Sequence, residues 1–325
     1  MVQEVGHLTF PSGCEIIRFN TEAEWLHYRS SRIAGSEIPG LMGKGKYGSP
    51  YALWDKLVNG PKTIEYTRLM FWGKMQEETA AKGYEALYDK RLVTLGPYAV
   101  VVHPQNDRIC ATLDYVEVDE NNYPVQIFEA KSADRSLREF WKTAPPTWNA
   151  PQVLMQLEIT GLKRGVLFGL VGGNEDFSHT IQYDSGAAAE MMWAAERMLE
   201  RADNREPPVP DGHQSTRDAL MRFEPEEGAV DVVPPDTNWL DLYRAATYLR
   251  AAGKAQVKEA ETSLAKLQNQ VLLEVNGKAT FARIAGFGTA KFSPAKKTPT
   301  NAGFKNFKAK WTFKPEGQSD EEDES

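Results

Sequence analysis

Residues 125–134, VQIFEAKSAD, constrain this chain more than any other stretch. Val125, Ile127, Phe128 and Ala130 read as a strand entering a core, yet Glu129 and Lys131 put two charges on it. Residues two apart on a strand point to one face, so carboxylate and ammonium share a surface. Asp114 lies on the preceding strand-like run, and an antiparallel hairpin turning near Asn121 brings it alongside, giving the pattern D-x14-E-x-K. Two carboxylates with a backbone carbonyl, that of Ala130, make a hard oxygen site suited to Mg2+ or Mn2+. A nearby lysine can orient a water or balance charge on a phosphate, so the set points to metal-assisted phosphodiester hydrolysis. The plainer alternative is a solvated salt bridge on an amphipathic strand.

The surrounding sequence supplies a framework for that strand. TEAEWLHYRSSR opens with a capping-box pattern at Thr21 and Glu24, and Ser36 is expected to cap a short second helix with Pro39 in its first turn. SPYALWDKL starts a third helix, with Ser49 as cap and Pro50 at the first helical position, and LMFWGKMQEETAAKGYEAL is a long amphipathic fourth. Strands are expected at 98–103, 108–118 and 124–130, a helix from Asn149 to Leu162, strands at 165–171 and 177–183, and a helix in GAAAEMMWAAERMLERAD. Residues 203–237 are rich in proline and read as a connection. Beyond them the pattern is helical and then a hairpin at KATFARIAGFGTAKF, so 238–314 reads as a C-terminal extension after a 1–202 core.

Charge is informative only when divided along the chain. The net charge is −7, but residues 315–325 hold six acids and no base, and read as a disordered tail. Residues 291–314 hold seven lysines and no acid, interleaved with five aromatic rings. Lys291, Lys305, Lys308 and Trp311 are therefore candidates for tracking single-stranded DNA by charge and stacking. A β-structure with a solvated face, or a surface that docks a partner protein, would show the same composition. The two cysteines and five histidines are scattered, which argues against a zinc site or an iron-sulfur cluster. No apolar run suits a membrane span and no signal peptide is evident, so a cytoplasmic location is expected. Gly40, Gly45 and Lys46 fit G-x4-G-K, but Tyr47 stands where a phosphate loop needs serine or threonine, and no apolar strand precedes it.

Four blocks in register resemble the PD-(D/E)XK superfamily, and within it the lambda exonuclease and YqaJ-type viral recombinase nucleases. They are RSSRIAGSEIPGLMG, FWGKMQEETA, LDYVEV with FEAKS, and APQVLMQLEITG, within residues 22–200. The resemblance implies a restriction-endonuclease-like α/β core, a mixed central sheet flanked by helices, to which the C-terminal helical and hairpin extension is added. It places Asp114, Glu129 and the Ala130 carbonyl on the metal, Lys131 on the nucleophilic water, and Glu77 and Gln152 in support, Glu77 also as a possible ligand. Arg29 and Ser36 would hold a 5′-terminal phosphate, and Gln156 is a further candidate for contact with DNA. The cofactor implied is Mg2+, two ions per site, with Mn2+ able to substitute. Leu113 replaces the family's proline before the aspartate.

The activity so implied is a 5′ to 3′ exonuclease on double-stranded DNA ends that releases mononucleotides and leaves 3′ tails. Those tails would pass to a single-strand annealing protein in phage or prophage recombination within a bacterial host. A ring-shaped homo-oligomer, a trimer in the lambda enzyme, is also implied. A restriction-like or structure-specific endonuclease with the same triad, and a non-catalytic DNA-binding recombination mediator, remain the alternatives.

Overall fold

The structure, a computed structural model, describes residues 3–4, 8–62 and 66–222, and C-terminal to these only short helical stretches within 245–258 and strands within 281–315. It divides into two compact units, Met1–Glu226 and Glu227–Ser325.

In the first unit β1 (Gln3–Glu4) and β2 (Glu15–Arg18) precede α1 (Glu22–Ser30). Then β3 (Ile33–Ala34) leads through a 3-10 turn (Gly35–Glu37) into α2 (Ile38–Leu41), α3 (Pro50–Asn59) and α4 (Arg68–Tyr88). Next come β4 (Leu92–Thr94), β5 (Ala99–Val102), β6 (Ile109–Ala111), β7 (Tyr115–Val118) and the long β8 (Pro124–Ala133). A 3-10 turn (Arg135–Leu137), α5 (Arg138–Thr143) and α6 (Ala150–Thr160) lead to β9 (Arg164–Val171) and β10 (Glu175–Gln182). α7 (Ser185–Asp203) and α8 (Gln214–Leu220) complete the unit.

A six-stranded sheet runs in the order β1-β4-β7-β8-β9-β10, and a four-stranded sheet in the order β2-β5-β6-β3. The larger sheet is mixed: β7 pairs antiparallel with β8, β8 parallel with β9, and β9 antiparallel with β10. The parallel pair needs a crossover, which α5 and α6 provide. Alternation along β8 assigns its two faces. Phe128 and Ala130 pack with Ala80, Ala81 and Tyr84 of α4, whereas Ile127 joins the main core with Val153 and Leu157 of α6. Glu129 and Lys131 follow Ile127 in the period and so face α6. The fold is mixed α/β, with mixed sheets flanked by helices.

Local chemistry explains most helix starts. Thr21 accepts from the Glu24 amide, while the Glu24 carboxylate accepts from the Thr21 amide, closing the expected capping box. Ser49 caps α3 with Pro50 at its first position. Four expectations change. The run 108–118 is two strands in two sheets, broken at Thr112–Asp114. Ser36 does not cap a helix: it is the middle residue of the 3-10 turn, and the carboxylate of Glu37 accepts the Ala34 amide at 2.8 Å instead. β2 and β4 were not expected, being too short to show a period of two. Residues 203–222, expected within the proline-rich connection, include α8, which packs on α3 with Thr216 buried.

In the second unit β11 (Phe281–Ile284), β12 (Gly288–Ser293) and β15 (Lys310–Pro315) form a three-stranded antiparallel sheet. β13 (Lys296–Thr300) pairs with β14 (Gly303–Phe307). The expected hairpin at KATFARIAGFGTAKF is β11–β12. Lys291 registers with Thr312, Trp311 with Phe292 and Lys305 with Thr298. Lys308 and the acidic tail lie outside the described residues. Among the described residues no helix is long and apolar enough to cross a membrane.

Candidate active site

The break between β6 and β7 makes the site. Tyr115 registers with Phe128 on β8, so Asp114 falls opposite Glu129 just where β7 stops pairing. Released from the ladder, the Asp114 side chain accepts the Ala130 amide at 2.9 Å. In a strand the N–H and C=O of one residue point to one edge, so the Ala130 carbonyl is turned towards Asp114 as well. Lys131 donates to Glu129 Oε1 at 2.5 Å, as the shared strand face requires. The expected D-x14-E-x-K constellation is thus brought together at the end of one antiparallel pair.

Helix α6 closes the other side. Gln152 Nε2 donates to Glu129 Oε1 at 2.6 Å, and Gln156 Nε2 to Glu129 Oε2 at 2.7 Å and to the Thr112 carbonyl at 3.2 Å. The two amides are one helical turn apart and hold both oxygens of a carboxylate that is only 1% exposed. Gln156 is itself fully buried, so its expected place as a DNA contact is corrected: it orients Glu129 from behind. Its Oε1 and the Thr112 hydroxyl are buried without a partner. Gln152, half-buried, is the one of the pair that also reaches towards solvent.

From the opposite face α4 brings Glu77, whose carboxyl senses both Lys131 and Glu129, while the neighbouring Gln76 accepts from Ser132 on β8. Burial, and then the charge of Glu129, push the Asp114 carboxyl well above the usual carboxylate range, although Lys131 pulls it back. Glu77 is also raised, mainly by burial. For Lys131 burial alone would lower the pKa, but Glu129 and Asp114 outweigh it and keep the ammonium charged. Three carboxylates therefore face a single ammonium, an imbalance that a cation would relieve. Among the described residues no group of three His, Cys, Asp or Glu side chains forms a ready metal shell. The donor set is smaller: Asp114, Glu129 and the Ala130 carbonyl. That set suits Mg2+, which commonly keeps several waters and takes one or two carboxylates.

Arg29 and Ser36 meet at the turn that packs against α6. The guanidinium lies over the Trp25 ring at 4.4 Å and donates from Nη2 to Ser36 Oγ at 3.3 Å, and its Nε is buried without a partner. Ser36 is exposed. The 3-10 turn that carries it packs on α6 through Gly35: a Cβ there would lie 3.3 Å from Ala111 Cβ, 3.7 Å from the Gln152 carbonyl and 3.9 Å from Gln156 Cγ. The turn therefore lies in close contact with the helix that carries the two glutamines, and Ser36, to which Arg29 donates, follows directly after that contact. The G-x4-G-K match has a different use. A Cβ on Gly45 would lie 2.6 Å from Gly40 Cα, so these glycines let two backbone segments touch. Glu37, the acid of the Ser36-Glu37 pair in the first matching block, and Lys56, which the pattern did not single out, tie this region together: Lys56 Nζ reaches Glu37 Oε2 at 2.7 Å. Lys56 carries no local sequence signal.

Comparison with known proteins places this geometry in context. Residues 24–163 match the YqaJ-like viral recombinase domain. Over 273 residues the chain is 24% identical to protein YqaJ of Bacillus subtilis (strain 168), covering 80% of this chain and 81% of that one. Among solved structures, the alkaline exonuclease LHK-Exo from Laribacter hongkongensis is similar at 18% identity and a TM-score of 0.47, covering 57% of this chain and 94% of that chain. A phage-related exonuclease from Haemophilus somnus 129PT is similar at 11% identity and a TM-score of 0.40, covering 54% and 94%.

Proposed function

We propose that this chain, with its YqaJ-like viral recombinase domain, is a Mg2+-dependent nuclease that degrades double-stranded DNA 5′ to 3′ from free ends. The observation that most supports the reading is the Gly35 turn packed on Gln152 and Gln156, the two amides that hold Glu129, with Ser36 of that turn accepting from Arg29. An anion-binding pair joined through that turn to the helix that holds Glu129 suits an enzyme that works from a phosphorylated end. An endonuclease has no need of the pair.

In this reading Asp114, Glu129 and the Ala130 carbonyl hold the metal, and Glu77 contributes through water. Bound there, Mg2+ supplies Lewis-acid polarisation of the scissile phosphodiester. Gln152 and Gln156 fix the Glu129 carboxylate in one orientation, and Gln152, half-buried, is the one that would also meet a phosphate oxygen. Lys131, kept protonated by its carboxylate neighbours, orients the attacking water and offsets charge at the phosphate. Arg29 and Ser36 bind the 5′-phosphate and set the register of the next bond to be cut. The products are mononucleotides and 3′ single-stranded tails, which an annealing protein would take up in phage-type recombination inside the bacterial host. A homo-oligomeric ring, trimeric by likeness to the lambda enzyme, would keep the enzyme on its substrate, and Mn2+ would replace Mg2+.

Digestion of linear duplexes carrying 5′-phosphate or 5′-hydroxyl ends, beside a closed circle, tests this with Mg2+ and with EDTA. The expected result is Mg2+-dependent loss from the 5′-phosphorylated ends with the circle intact, abolished in Lys131→Ala while DNA binding persists. Cutting of the circle would favour the endonuclease. Absence of cutting with any divalent metal would leave a DNA-binding protein.

A further inference from the structure

We infer that Lys56 is a positioning residue that presets the Arg29–Ser36 pair for a 5′-terminal phosphate, an inference that rests on the function proposed above. The Lys56 ammonium, 16% exposed, donates to the Arg29 carbonyl at 3.2 Å, the Arg32 carbonyl at 2.7 Å, and Glu37 Oε1 and Oε2 at 2.8 and 2.7 Å. Arg29 O and Arg32 O belong to the end of α1 and the residues just after it, where the Arg29 carbonyl accepts the Arg32 amide at 3.2 Å in place of an i+4 helical partner and a cation is favoured. Glu37 accepts the Ala34 amide at 2.8 Å and so closes the turn in which Ser36 sits. One ammonium thus joins the backbone of the residue that supplies the guanidinium to the turn that supplies the hydroxyl.

Two further contacts show that the joint acts on Arg29. Trp25 lies beneath the guanidinium one turn back on α1, so with the Arg29 backbone anchored, its side chain has one stacked direction, towards Ser36 Oγ. Arg32 is anchored in the same way, with its guanidinium over Tyr28 at 3.6 Å and donating to the Asp107 carbonyl at 3.0 Å. The guanidinium and hydroxyl are therefore held 3.3 Å apart before any phosphate arrives. Without Lys56 the Glu37 carboxylate loses its counter-charge, and the turn and the helix end become independent. The ligand class is a terminal phosphate monoester, and Lys56 acts on it only through its neighbours.

The test compares kcat and KM on 5′-phosphate and 5′-hydroxyl duplex ends for the wild type, Lys56→Met, Lys56→Arg, Arg29→Ala and the Arg29→Ala/Lys56→Met double variant. Lys56→Met should shrink the preference for phosphorylated ends by about tenfold, chiefly through KM, because a displaced binding group loses its geometry. Lys56→Arg should recover part of the preference, and the double variant should discriminate no less than Arg29→Ala alone. An undiminished preference in Lys56→Met, or an equal fall in kcat on both ends that Lys56→Arg does not rescue, would reduce Lys56 to a fold-stabilising residue and overturn the inference. A wild-type enzyme without preference would instead remove the 5′-phosphate reading of Arg29 and Ser36, and the inference with it.

Discussion

Glu129 is the residue on which the site turns. A carboxylate so buried must be paired on both oxygens, and it is, by Lys131, Gln152 and Gln156. Replacing Gln156 with leucine leaves Glu129 Oε2 buried without a donor, which should cost about 1–3 kcal/mol. Gln152→Leu should cost less, because water can reach its half-buried position. Urea unfolding of both variants checks this, and equal losses would mean that Glu129 is less enclosed than its exposure indicates. The spacing D-x14-E-x-K was legible in the sequence because a strand has a period of two and a hairpin turn was marked by ENNYP. The enclosure of Gln156 was not legible, since two glutamines a turn apart look the same facing solvent or facing a carboxylate.

Among the elements, α3 shows what the sequence concealed. Its start was plain from Ser49-Pro50, but its importance depends on chain more than 150 residues away. Thr216 of α8 donates to Ser49 Oγ at 2.7 Å at one end of α3. At the other end Arg222 donates to the carbonyls of Asn59 and Gly60 at 2.8 Å each and to Asp55 Oδ2 at 3.0 Å. The segment carrying α8 therefore fastens both ends of the helix that bears Lys56. A seven-residue helix between prolines has too little periodicity to announce itself, so the region read as a connection. Arg222→Ala leaves buried Asp55 without its counter-charge, held only through Oδ1 by the Asn59 amide at 2.8 Å, and since the arginine is 18% exposed the loss should sit near the low end for buried pairs, about 3 kcal/mol. Thermal melts would read it, and a change below about 1 kcal/mol, the range of surface pairs, would mean that solvent already serves Asp55.

At the scale of the whole molecule, every residue assigned to the cluster lies in the unit Met1–Glu226. The basic, aromatic segment lies in the other unit, where β12 pairs with β11 and β15. A chain ending at residue 226 should therefore keep metal-dependent cleavage of duplex ends, with the same loss on Lys131→Ala. What it should lose is affinity for single strands. Each lysine in contact with phosphate adds about 0.7 to the slope of log affinity against log salt. The seven lysines of 291–314 would thus flatten that slope by up to about 5 when removed. An unchanged slope, measured by titrating oligonucleotides between low and moderate salt, would leave the segment as a protein-docking surface or a solvated sheet face. The net charge of −7 could not have suggested the experiment, because six tail acids mask those lysines in the total. The distribution of charge along the chain, not its sum, is what marks 291–314 as the segment to test for single-strand binding.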